Sequence, residues 1–151
     1  MSKFGVCMVA AGLWFGVVAS GAVLADARAQ AQEHAHKHDD KGWTIPEGAS
    51  EEANPLRNDA SAVETGRQLF RQKCQRCHGP GGLGDGPDAD PDHQDDMNLT
   101  RADRAEANPD GVVFYKAWNG RSKPKMPAFR DDLTKEQVWA IVTYVQTLRG
   151  K

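Results

Sequence analysis

Residues 74–78 read CQRCH, and no other five residues limit this chain so tightly. Cys77 and His78 follow Cys74 by three and four positions, so on a helix all three side chains share one face. Three chemistries use such a trio. A zinc site needs a fourth ligand, usually from a second pair at motif spacing, and the one other cysteine is Cys7, far upstream. A thioredoxin-like disulfide sits beside a βαβ pattern, whereas no segment here alternates apolar and polar residues for the length of a strand. Haem c meets each requirement. The two thiols become thioethers to the porphyrin's vinyl groups, and the following histidine gives a nitrogen to the iron. One covalently attached haem c, held by Cys74, Cys77 and His78, is therefore expected.

The pattern of apolar residues around the motif is helical. Ser61 and Glu64 have capping-box spacing, and Val63, Gly66, Phe70, Cys74 and Cys77 follow at steps of three or four. A second helix is expected from Asn108 as cap and Pro109 in the first turn, through Val112, Val113, Phe114, Tyr115 and Trp118, to Asn119-Gly120. The last helix has Thr134 and Gln137 as a capping box and Leu133 with Val138 as a hydrophobic staple. Its buried stripe is Val138, Ile141, Val142, Val145 and Leu148, widened by Trp139 and Tyr144, and Arg149-Gly150 ends it. The domain reads as all-α. Residues 79–107 and 120–132 are long irregular stretches, uncommon in a compact domain unless something orders them. Three helices also supply few apolar side chains for a domain of this size. A large apolar cofactor answers both deficits.

A haem iron with one histidine has a sixth position to fill. Met126 stands in KPKMPAF, where Pro124 and Pro127 favour extended backbone around it. Such a loop can hold a thioether against iron, and Met126 is the expected distal ligand. Met97, in the polar stretch DDMNLT, is expected to play only a surface role. His34, His36, His38 and His93 are weaker candidates, since each sits in polar surroundings. The HAHKHDD tract that holds the first three reads as a solvated tether, although such tracts can bind transition metals.

Upstream, Lys3 is the only charge before Asp26, and the apolar run closes on Val23-Leu24-Ala25. Residues 1–25 thus read as an export signal, with a retained membrane anchor as the alternative; Cys7 within them is a small apolar filler. Export places the protein in the periplasm, and membrane contact is expected only if residues 1–25 are retained. Residues 26–60 read as a polar, His-containing arm, and 61–151 as the domain itself. The arm carries no proposed ligand, so deleting residues 26–55 is expected to be tolerated. The formal net charge is −2, with 19 basic and 21 acidic residues, and loss of Lys3 makes it more negative. That balance argues against nucleic acid as the main partner.

The residues GRQLF with Gly66 and Phe70, CQRCH, GLGDGP, NGRSKPKMP and WAIVTYVQTL together resemble the class I c-type cytochromes, specifically the small bacterial monohaem kind. The resemblance runs from about Ser61 to Leu148. It implies a cytochrome c-like fold of three to five helices around one haem. The first and last helices would cross closely at Gly66, Phe70, Ile141 and Tyr144. It also implies His78 as proximal and Met126 as distal ligand. The acidic loop PDADPDHQDDMN departs from the family pattern. Its DADPD resembles the start of a calcium loop, but His93 stands where that loop needs glycine.

An iron closed by histidine and methionine has no open site, so the expected role is a periplasmic single-electron carrier rather than an enzyme. A dedicated haem c subunit of a larger dehydrogenase, oxidase or reductase is the alternative. A haem peroxidase or gas sensor would need a displaceable sixth ligand. Arg71, Lys73 and Arg76 flank the attachment site, and Arg121, Lys123 and Lys125 precede Met126. A haem edge emerging between these segments would be ringed by cations and would suit an acidic redox partner.

Overall fold

The computed structural model describes residues 42–149, and five α-helices and two single 3₁₀ turns run through them with no strand among them. The expected signal segment and the His34, His36 and His38 tract lie outside the described residues. Helix α1 spans Ala60–Lys73. Its cap is Asp59, whose carboxylate accepts from the backbone N–H of Ser61 at 2.8 Å and of Ala62 at 3.2 Å. The expected Ser61–Glu64 capping box does not form. A charged acceptor two residues upstream takes the free amides of the first turn, and Glu64 turns instead to Arg67 and Gln68. A hydrogen bond from the Ser61 hydroxyl, helped by those from the Ala62 and Ser61 amides, holds the Asp59 carboxyl below its ordinary value.

Helix α4, Asp110–Asn119, starts at Pro109 as cap rather than at Asn108. The Asn108 amide has turned back to donate to the Arg104 carbonyl and accept from Lys116. Helix α5, Lys135–Gln146, opens on the expected capping box, with the Thr134 and Gln137 side chains each bonded to the other's backbone N–H. It ends earlier than expected, at Gln146, and Leu148 and Arg149 continue as a turn. The Arg149 guanidinium reaches the carbonyls of Ala105 and Asn108. Burial pulls its pKa down, opposed by the nearby Asp110 carboxylate.

The core lies where α1 and α4 pack on α5. Phe70, Val112, Val138 and Val142 are fully buried, and Ile141, Val145 and Leu148 extend the expected stripe. Phe114 stacks on Trp139 with ring centroids 4.2 Å apart. At the α1–α5 crossing Gly66 makes close approach possible: a Cβ there would sit 2.0 Å from the Ala140 carbonyl oxygen and 2.9 Å from the Tyr144 Cβ. One turn further on, Phe70 meets Tyr144 with centroids 5.3 Å apart. Of the crossing residues implied by the resemblance, Gly66, Phe70 and Tyr144 meet here, and the backbone of Ala140 rather than Ile141 faces Gly66.

The described part of the arm is not a free tether. Ala49 and Asn54 are buried, and the Asn54 amide donates to the Thr143 hydroxyl of α5 at 3.0 Å. The Asn54 side-chain oxygen also accepts from Leu56 N–H, and Leu56 packs against the core. Removing residues up to 55 would strip Thr143 of this buried partner, so the truncation expected to be tolerated instead opens the flank of α5. Among the described residues no helix is long and apolar enough to cross a membrane.

Candidate functional site

The CQRCH segment is held between two helices. Cys74 ends α1 with φ −115°, and α2, Gln75–His78, restarts directly after it. The Cys74 carbonyl accepts from the N–H of both Cys77 and His78, at 3.2 and 3.0 Å. This local turn puts the three side chains on one wall of a cavity of about 430 Å³, a size ordinary for a buried small-molecule site. The loop that follows folds back on the motif. Gly84 and Asp88 donate to the carbonyls of His78 and Arg76, each at 2.8 Å. Gly86 lies so close that a Cβ would come within 2.2 Å of the Arg76 oxygen, which accounts for the last of the three glycines in GLGDGP.

His78 is oriented from the other side. Helix α3, Gln94–Met97, ends so that the Met97 carbonyl lies 2.7 Å from His78 Nδ1. A carbonyl can only accept, so Nδ1 carries the proton and Nε2 keeps its lone pair. Burial pushes the imidazole pKa down, with the Met97 hydrogen bond opposing and Arg121 adding to the fall. A neutral ring with a free Nε2 is the form that ligates a metal. Met97 was expected to play only a surface role, but it is half-buried and lines the cavity too, and its backbone carbonyl orients His78, a role that side-chain reasoning could not find. The short helix is itself fastened: Asn98 bridges Leu83, and Leu99 N–H donates to the Gly82 carbonyl at 2.7 Å.

Met126 lines the same cavity and packs against the core. Its loop is not the open extended run expected from Pro124 and Pro127. Arg121 and Met126 exchange both backbone hydrogen bonds at 2.9 Å, and Arg121 Nε donates to the Pro124 carbonyl at 3.0 Å. These bonds close residues 121–126 into a tight loop. Cys74 and Cys77 are not joined to each other in a disulfide. Burial pushes the Cys74 thiol up to about 12, with Cys77 adding and Lys73 opposing.

The cavity has two kinds of lining. Phe70, Leu99, Val113, Phe129, Ile141 and Val145 form an apolar part, while Arg101, Arg104, Lys116, Arg149 and Asn108 contribute donors. An apolar macrocycle bearing carboxylates fits such a set: thiols and imidazole on one wall, a thioether on the lining, and cations for the acid groups. Among the described residues no three His, Cys, Asp or Glu gather as a metal cluster, and His93 pairs with Asp90 at 3.0 Å.

Of the six cations expected around the edge, Lys73, Arg76, Arg121 and Lys125 line the cavity, whereas Arg71 lies along a different groove with Glu64 and Gln68. The ring of cations is partly neutralised. Arg76 pairs with Asp88 at 2.6 Å and Lys73 with Asp132 at 3.1 Å. Asp95 and Asp96 of the acidic loop pair with Arg101 and Arg104 at 3.5 and 3.2 Å. The loop that departs from the family pattern thus folds onto the motif and neutralises part of the rim.

Residues 61–145 match the family model described as Cytochrome C oxidase, cbb3-type, subunit III. No curated protein matches the chain. The matched segment begins at the second residue of α1, passes through CQRCH and the Met126 loop, and reaches the last turn of α5, more than half of the chain. The chain belongs to this c-type cytochrome family, as a haem c electron-transfer protein with a single covalently bound haem of the kind such domains carry.

Proposed function

We propose that the protein is a periplasmic single-electron carrier, with haem c attached through Cys74 and Cys77 and its iron held by His78 Nε2 and the Met126 sulfur. The haem supplies the redox-active iron. The chain does the rest: the Met97 carbonyl fixes the imidazole, the 121–126 loop presents a neutral thioether, and the apolar lining excludes water. The observation that carries this reading is the 2.7 Å bond from His78 Nδ1 to the Met97 carbonyl, which leaves Nε2 available in the cavity that Met126 also lines. With both axial positions filled, the protein is proposed to turn over no substrate of its own. Carbon monoxide added to the ferrous protein tests this. Ready binding would replace the carrier with a peroxidase or gas sensor.

Residues 1–25 are proposed as a cleaved export signal. The intact mass of the mature protein is expected to begin at or just after Asp26, and a membrane-bound product retaining residues 1–25 would favour an anchor instead. For docking, the exposed Lys123 and Lys125 beside Met126 are proposed to steer an acidic redox partner. Electron transfer to that partner is expected to slow as ionic strength rises, by less than a six-cation rim would produce, because Lys73 and Arg76 are paired. Stopped-flow rates that stay flat or climb with salt would exclude a basic face. The family's description as an oxidase subunit favours a second reading, a haem c subunit of a larger complex. Co-purification with a large partner distinguishes it.

A further inference from the structure

We propose that Trp43 is a positioning residue for the axial methionine: its ring holds Arg121, and Arg121 closes the loop that carries Met126. The inference rests on the proposed ligation by Met126. Trp43 lines the cavity, well upstream of the matched family segment. The Arg121 guanidinium carbon lies 4.9 Å from the centre of its ring, and Lys116 Nζ lies 5.6 Å from it. Trp gives the strongest attraction of this kind among aromatic side chains.

The two cations differ in what they are attached to. Lys116 donates to Asn108 at 2.6 Å, on the side of α4. Arg121 belongs to the methionine loop: its backbone makes both rungs to Met126, and its Nε spans the loop to the Pro124 carbonyl. The backbone beside Trp43 lies on the same loop, since a Cβ on Gly42 would sit 3.0 Å from the Lys123 carbonyl oxygen. The indole thus braces one side chain that ties the loop together from within. A thioether is a weak, neutral donor, so the persistence of its bond to iron depends on how firmly its loop is held. The Trp43 ring supplies that restraint from outside the loop.

Two measurements on the ferric holoprotein test the proposal. One is amide hydrogen exchange at Arg121 and Met126. The other is the limiting rate of cyanide uptake, which is set by departure of the sulfur from iron. Trp43→Ala is expected to raise both about tenfold relative to the amides of α5, and Trp43→Phe to raise them by about threefold or less. Exchange and uptake that stay at parent values in Trp43→Ala would overturn the proposal. An equal rise in the α5 amides would overturn it too, since Trp43 would then only support the whole fold. If Met126→Ala left the sulfur-to-iron absorption band intact, the ligand assignment would fall, while the exchange measurement would still report on the brace.

Discussion

Met126→Ala is expected to abolish the sulfur-to-iron absorption band of the oxidised protein while leaving the haem covalently attached. Water, or the nearby Lys123 or Lys125, would take the vacated position. Thioether sulfur favours the ferrous state, so the reduction potential is expected to fall by about 100 mV or more, within the ~0.8 V over which axial ligands tune haem. The ferrous variant is expected to bind carbon monoxide and to show peroxide-dependent activity that the parent lacks. Met97→Ala provides the control. It removes a side chain but keeps the carbonyl that holds His78 Nδ1, so its band and potential are expected to stay near those of the parent. A band that survives in Met126→Ala and vanishes in Met97→Ala would transfer the ligand role to Met97.

Gly66→Ala is expected to be among the most damaging single methyl groups in the described domain. The added carbon would lie 2.0 Å from the Ala140 oxygen and 2.6 Å from its carbonyl carbon. Both obstacles are backbone, so no rotamer change relieves the clash and α1 must move away from α5. Overpacking ordinarily costs about 1–3 kcal/mol. Here a loss of about 3 kcal/mol or more is expected in denaturant unfolding of the holoprotein, with a lower yield of haem-loaded protein. Thr65→Ala, on the exposed side of the same helix, is expected to change stability by less than about 0.5 kcal/mol. If Gly66→Ala cost under about 1 kcal/mol, the crossing would not depend on glycine.

What could be read from the sequence follows how local the physics is. Helices α1, α4 and α5 were legible because their apolar spacing spans several turns, and Thr134–Gln137 because a capping box is a three-residue interaction. The Ser61–Glu64 pattern misled because a stronger acceptor, Asp59, stood just upstream. The CQRCH chemistry was visible in five residues. The Met97 contribution was not, because every residue carries a carbonyl and only the fold selects one. The Ala49 and Asn54 anchors were hidden for a related reason. A buried alanine and an asparagine bonded to Thr143 leave no periodic trace. The ring of six cations was read as unpaired because the pairing of Arg76 with Asp88 appears only when the loop turns back.

The bond between Asn54 and Thr143 joins positions 89 residues apart, and the α1–α5 crossing likewise joins the beginning of the domain to its end. A chain made from its N-terminus completes these contacts only when its last helix arrives. Loop-closure entropy must be overcome before either contact is gained. CQRCH lies inside the loop that they close. Until α5 docks, the two cysteines remain on an unsealed segment, open to whatever machinery forms their thioether bonds. The long-range topology thus makes final closure wait for the C-terminal helix, well after CQRCH itself has been made.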